Sequence, residues 1–256
     1  MTNCQLIDTH AHLDFEDYQE NIDTILAEVK SAGVEKVIIP GVTIKDIPRI
    51  IALIDKYENL FGAVALHPSE AKDWDNNSYN ILKEYTKHPK IVAVGETGLD
   101  YYWDKTFIDK QKFIFKEHIR LAKESNLPLI IHDREAHGDI LEILKEEREI
   151  KGVMHCFSGS AEFAAECIKL GMYIALGGPV TFKNAIKPKE VAKAIPLEKL
   201  VLETDSPFLA PHPFRGKQND PSKIKLVAEE IASVKKIPVE EVAEKTTLNA
   251  KKLFHI

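Results

Sequence analysis

Cysteine is scarce in this chain. The three, Cys4, Cys156 and Cys167, are odd in number and form no Cys-x-x-Cys pair. That argues against a disulfide framework and makes reduced thiols in a cytoplasmic protein the simplest reading. Long apolar runs are also missing, and a bilayer span needs about 20 such residues. Met1-Thr2-Asn3-Cys4 does not open a basic segment followed by an apolar signal core. No membrane partner is therefore expected. Positive charge is not in excess: 34 Lys and Arg stand against 40 Asp and Glu, a net charge of -6. The basic face that grips a long nucleic-acid backbone is thus not expected. A nucleic-acid end held through metal ions stays open, because bound cations can be the largest local charges in a site. The 12 glycines and 13 prolines form no linker or low-complexity stretch. Residues 1–256 read as a single domain, and no obligate protein partner is inferred.

What the chain does have is a regular alternation. Apolar runs at Gln5–His12, Lys36–Pro40, Phe61–Leu66, Ile91–Gly95, Leu129–His132, Gly152–His155, Tyr173–Leu176 and Leu200–Glu203 predict eight strands. Helical periods lie between them. Ile22, Ile25, Leu26 and Val29 follow i, i+3, i+4, i+7, with Gly33 as a C-terminal cap, and Ile224, Val227, Ala228, Ile231 and Val234 repeat the pattern. Near-continuous apolar strands separated by amphipathic helices indicate a parallel sheet covered by helices. Eight such units in 256 residues suit an α/β fold closed as a TIM (β/α)8 barrel, a fold of about 250 residues.

That fold gives meaning to six side chains. His10, His12, Glu96, His132, His155 and Asp205 each stand at or just beyond a strand end, and a parallel barrel brings all those ends to one mouth. Four imidazoles and two carboxylates exceed what one tetrahedral ion needs and suit two ions sharing a bridge. Side chains two apart in a strand point the same way, so both rings of His10-Ala11-His12 can reach one ion, with Asp8 on that face as a hydrogen-bond acceptor behind them. Glu96, taken to share a face with Val92 and Val94, can bridge two cations. Cys156, following His155, is expected to face away and pack. Asp205 can hold a metal and also orient or deprotonate water. Glu203, two residues earlier on the same face, needs a partner if buried. His67 follows the third strand at the same mouth and could reach a phosphate oxygen. Arg134 could clamp a phosphate or pair with Asp133 or Glu135. Arg215 and Lys217 lie in a loop region where barrels often bind phosphate. Tyr101, Tyr102 and Trp103 could stack on a base or simply plug their loop.

Several segments together resemble the TatD family of metal-dependent hydrolases. They are Asp8-Thr9-His10-Ala11-His12-Leu13-Asp14, Leu66-His67-Pro68, Val94-Gly95-Glu96-Thr97-Gly98-Leu99-Asp100-Tyr101, His132-Asp133-Arg134, His155-Cys156-Phe157-Ser158-Gly159, Glu203-Thr204-Asp205-Ser206-Pro207 and Pro213-Phe214-Arg215-Gly216-Lys217. The closing Thr247-Leu248-Asn249-Ala250 fits as well. The resemblance implies an amidohydrolase-like barrel, two divalent cations (Mg, Mn or Zn) and deoxyribonuclease activity, often 3′-to-5′ exonuclease, on DNA ends or short oligonucleotides. By position, His10 and His12 would hold one ion with Glu96 and Asp205. His132 and His155 would hold the second, with Glu96 bridging and His67 facing substrate. Many members carry a further arginine where this chain has Gln218. The alternatives are a related ester or amide hydrolase, for example on D-aminoacyl-tRNA, and a non-catalytic metal-binding scaffold.

Overall fold

The computed structural model describes residues 5–256, so Cys4 and the Met1-Thr2-Asn3-Cys4 segment lie outside the described residues. The strands are β1 (Leu6–Asp8), β2 (Val34–Ile39), β3 (Leu60–Val64), β4 (Ile91–Asp100), β5 (Leu129–Arg134), β6 (Gly152–Met154), β7 (Met172–Leu176) and β8 (Leu200–Leu202). Each pairs in parallel with the next, and their order in the sheet is their order in the chain. The two ends of the sheet meet just past their strands. Thr9 N–H donates to the Leu202 carbonyl at 3.0 Å, Asp205 N–H to that of His10 at 2.9 Å and His12 N–H to that of Ser206 at 2.8 Å. The result is the nearly closed TIM barrel expected from the alternation of strands and helices.

Strand periodicity explains the two halves of the core. Ile7, Ile38, Ala63, Ala93, Ile130, Val153, Ala175 and Val201, from all eight strands, form one cluster with Ala250, Leu253 and Phe254 of the terminal helix Val239–Phe254. Their strand neighbours, such as Val37, Ile39, Val64, Ile131 and Ile174, pack instead with the surrounding helices. A buried side chain such as Phe254 is worth about 3–5 kcal/mol against truncation to alanine. The helix Ile22–Ser31 buries Leu26 and Val29, and Ile224–Lys235 buries Ile224, Val227, Ala228 and Ile231.

The largest departure from the sequence reading is β4. It runs five residues past Gly95, to Asp100, and its register against β5 shifts between Gly95 and Thr97. Two glycines allow this close approach. A Cβ on Gly95 would fall 2.5 Å from the Ile130 Cβ, and one on Gly98 (φ 127°) would fall 2.1 Å from the His132 carbonyl oxygen. The shift also corrects the face assigned to Glu96. Val94 packs toward the helices, whereas Val92 joins the inner cluster. Glu96 therefore does not continue a Val92–Val94 face; the irregularity turns it to the mouth.

Candidate metal centre

At the C-terminal mouth of the barrel the side chains of His10, His12, Glu96, His132, His155 and Asp205 come together. The Nε2 atoms of His10 and His12 are only 3.3 Å apart. Glu96 Oε2 lies 3.2 Å from His10 Nε2 and 3.8 Å from His12 Nε2, and Asp205 Oδ1 lies 3.7 and 3.6 Å from the same two atoms. Ligands bound at 2.0–2.1 Å around a tetrahedral ion stand about 3.4 Å apart, so this donor set fits a zinc-sized divalent cation. The Nδ1 atoms of both rings are buried without a hydrogen-bond partner. His10 also stacks on His155, with ring centroids 3.5 Å apart.

The other oxygen of Glu96 looks the opposite way. Oε1 lies 2.8 Å from His132 Nδ1, 3.3 Å from His67 Nε2 and 3.5 Å from His155 Nε2. Two of these rings have their tautomer set from behind. Glu203 Oε2 meets His155 Nδ1 at 3.0 Å, and Asp100 Oδ2 meets His132 Nε2 at 2.9 Å. A carboxylate on one ring nitrogen holds the proton there and frees the other nitrogen toward a metal. Glu203 further accepts the Cys156 N–H at 2.6 Å. Asp100 was missed as a functional residue. Its signal was the two-residue spacing of Glu96, Gly98 and Asp100, visible once β4 is known to continue.

His67 is close enough to join a ligand group with Glu96 and His132. Its hydrogen bonding points to another use. Nδ1 accepts the Ser69 N–H at 3.1 Å, so in the neutral ring Nε2 carries the proton and donates. Burial lowers the His67 pKa and keeps that form at neutral pH, against the opposing pull of Glu96.

Three sequence readings need correction. Asp8 does not reach the rings of His10 or His12. Its carboxylate accepts the Thr204 hydroxyl at 2.5 Å, the Thr204 N–H at 3.0 Å and the His10 N–H at 3.1 Å, so it braces the segments that carry His10 and Asp205. Cys156 does not face away. β6 ends at Met154, and a left-handed backbone (φ 44°) turns the thiol into the ligand cluster with His155 and Asp205. Arg215 is exposed, stacks on Phe182 with its guanidinium carbon 4.4 Å from the ring centroid, and stands outside the lining of the central cleft. Arg134 does line the cleft and lies 3.8 Å from the Tyr102 ring centroid and 5.3 Å from that of Trp103. The cleft holds about 620 Å³ and has Phe15 and Phe208 on its other wall.

The charges are tightly coupled. Burial raises the Glu96 and Asp205 carboxyls, but the surrounding histidines outweigh it and hold both below their usual range. Burial lowers His155 and His132, but Glu203 and Glu96 raise the first to about 10, and Asp100 and Glu96 raise the second to about 9. An ordinary histidine titrates near 6.5. In metal-free protein the stability from these two rings is therefore complete below about pH 6.5 and is lost as pH rises through 9 to 10. A bound cation competes with those protons, so its apparent affinity rises over the same range. The Tm of chelator-treated protein is expected to fall between pH 7 and 10, and that of metal-loaded protein to fall less. Parallel Tm curves for the two forms would contradict this.

Comparisons with known proteins place the chain among metal-dependent hydrolases. A family profile described as "TatD related DNase" matches residues 7–255. A Bacillus subtilis protein, "Uncharacterized metal-dependent hydrolase YabD", is 50% identical over 253 residues, covering 98% of this chain and 99% of that one. The Escherichia coli protein "Uncharacterized metal-dependent hydrolase YcfH" is 38% identical over 258 residues, covering 98% and 96%. The crystal structure of YjjV, a TatD homolog from Escherichia coli, superposes with a TM-score of 0.95 at 33% identity over 100% of both chains. This chain belongs to the TatD family of metal-dependent hydrolases.

Proposed function

We propose that the enzyme hydrolyses DNA phosphodiesters at single-stranded or frayed ends, in the 3′-to-5′ direction, with two divalent cations (Mg, Mn or Zn) per chain and in the cytoplasm. The observation that carries the reading is the divided carboxylate of Glu96, one oxygen toward His10 and His12 and the other toward His132 and His155. His10, His12, Glu96 and Asp205 would hold one ion, and His132 and His155, together with Glu96, would hold the second. When bound, such cations make water acidic enough to ionise near neutral pH and draw charge from a phosphoryl oxygen. Asp205 accepts the proton of the attacking water as the new P–O bond forms; the bond from phosphorus to the departing 3′-oxygen breaks, and that oxygen takes up a proton from solvent water to become the new 3′-hydroxyl. His67 Nε2–H donates to a phosphoryl oxygen. Glu203 and Asp100 keep the His155 and His132 rings oriented through these changes. Arg134, stacked on Tyr102, supplies positive charge beside aromatic surface, a pairing suited to a terminal nucleotide and its phosphate.

No described helix is long and apolar enough to cross a membrane. The net charge of -6 supports recognition of ends over tight binding to long duplex. The test is product analysis on 5′-end-labelled single-stranded oligonucleotides, with Mg²⁺, Mn²⁺ and Zn²⁺ supplied one at a time. A metal-dependent ladder that shortens stepwise from the 3′ end, with mononucleotide products, is expected. Random internal cuts, or inert DNA beside rapid hydrolysis of an ester or amide such as a D-aminoacyl-tRNA, would replace the proposal.

A further inference from the structure

His118 lies in the helix Ile108–Ser125, behind β4, and has no exposed surface. An imidazole is an expensive way to fill a core position unless both its nitrogens are bonded. Here both are, each to a different segment of the barrel mouth. Leu66 N–H donates to Nε2 at 3.3 Å. Nε2 is therefore bare, so Nδ1 carries the proton and donates to Thr97 Oγ1 at 2.7 Å. Burial pushes the ring pKa down to about 3, which keeps it neutral. The Trp74 ring packs edge-on against it, with centroids 5.2 Å apart.

The two partners are neighbours of the centre. Leu66 directly precedes His67, and Thr97 directly follows Glu96. The paired ladder between β3 and β4 ends at Val64 opposite Val94. Beyond it the His118 ring ties the two segments together, at the place where His67 Nε2 and Glu96 Oε1 stand 3.3 Å apart. We propose that His118 is a positioning residue that fixes Glu96 and His67 against each other and thereby sets the affinity of the centre for divalent metal. It acts through Thr97 and Leu66. The proposal rests on the metal-dependent character of the family and is independent of which bond the enzyme cleaves.

Calorimetric titration of Mn²⁺ into metal-free protein, without substrate, tests it. His118→Leu removes both hydrogen bonds and is expected to weaken Mn²⁺ binding about 10–100-fold, the range for lost support behind metal ligands. His118→Gln, whose amide can accept from Leu66 and donate to Thr97, should restore most of that affinity. Leu144→Ala, which removes buried packing from the helix His137–Glu146, should lower Tm and leave Mn²⁺ affinity unchanged. A His118→Leu protein with lowered Tm but wild-type Mn²⁺ affinity would make His118 a core residue only and overturn the proposal. Should His118→Leu fail to fold, His118→Asn, too short to reach both partners, carries the same comparison, and wild-type affinity there overturns it equally.

Discussion

Asp205→Asn is expected to lower kcat by about 10²–10⁴-fold, the range that a positioned acid–base group contributes. The substitution keeps size and shape but removes a proton acceptor and a negative charge. Asp205 Oδ1 stands 3.7 Å from His10 Nε2 and 3.6 Å from His12 Nε2, so the loss falls on one ion site and on the attacking water together. Loosened metal binding should accompany the loss of turnover, and excess metal should recover only part of it. Burial lowers the His12 pKa, and the neutral amide removes the foremost of the groups that raise it against burial, leaving Glu96 and Asp14. Steady-state kinetics over a metal titration would decide. Near-normal kcat at saturating metal would remove Asp205 from the chemistry.

Glu96→Gln carries the second large effect. Each carboxylate oxygen faces a different set of imidazoles, so one substitution weakens both halves of the centre. An amide offers one oxygen where two were in use, and its NH2 would point at ring nitrogens that should receive a cation. The Lewis-acid contribution of bound metal is several kcal/mol. Losing about 3–4 kcal/mol of it corresponds to roughly two to three decades in rate. The same change should relax the raised pKa of His132 and His155, because Glu96 is among the causes of both. Metal-free Glu96→Gln should therefore lose stability at a lower pH than the metal-free parent. If it keeps both full activity and the parent's alkaline profile, the divided-carboxylate reading fails.

Several features were legible in the sequence because they depend only on residue type and strand position. Eight apolar runs with helices between them leave few folds, and a parallel barrel sends every strand end to one mouth. The gathering of His10, His12, His132, His155 and Asp205 at one mouth follows from that rule; Glu96 needs a backbone irregularity besides. Glu203 was also readable, since it continues the inward face of Val201 and a buried carboxylate needs a partner. What strict alternation misjudged lies where the backbone is irregular. The register shift at Gly95–Thr97 redirects Glu96 and lets β4 run on to Asp100. The left-handed backbone at Cys156 brings the thiol inward. Asp8 was assigned to the correct region and the wrong neighbours, because its partner Thr204 is 196 residues away and no local pattern reports it. His118 gave no signal at all: one histidine on the buried face of a helix reads as packing until both of its ring nitrogens are traced. Arg215 shows the opposite case, a motif residue whose exposed guanidinium rests on Phe182 outside the cleft.

The central claim is a centre built for two cations sharing one carboxylate, and counting the metal tests it most directly. Chelated protein would be reconstituted with Mn²⁺ or Zn²⁺, freed of excess, and analysed for metal per chain alongside its hydrolytic rate. Two equivalents per chain are expected, with activity rising to a plateau as the second is filled and with Glu96→Gln retaining fewer. A ceiling of one equivalent, reached with full activity and unchanged in Glu96→Gln, would contradict the account.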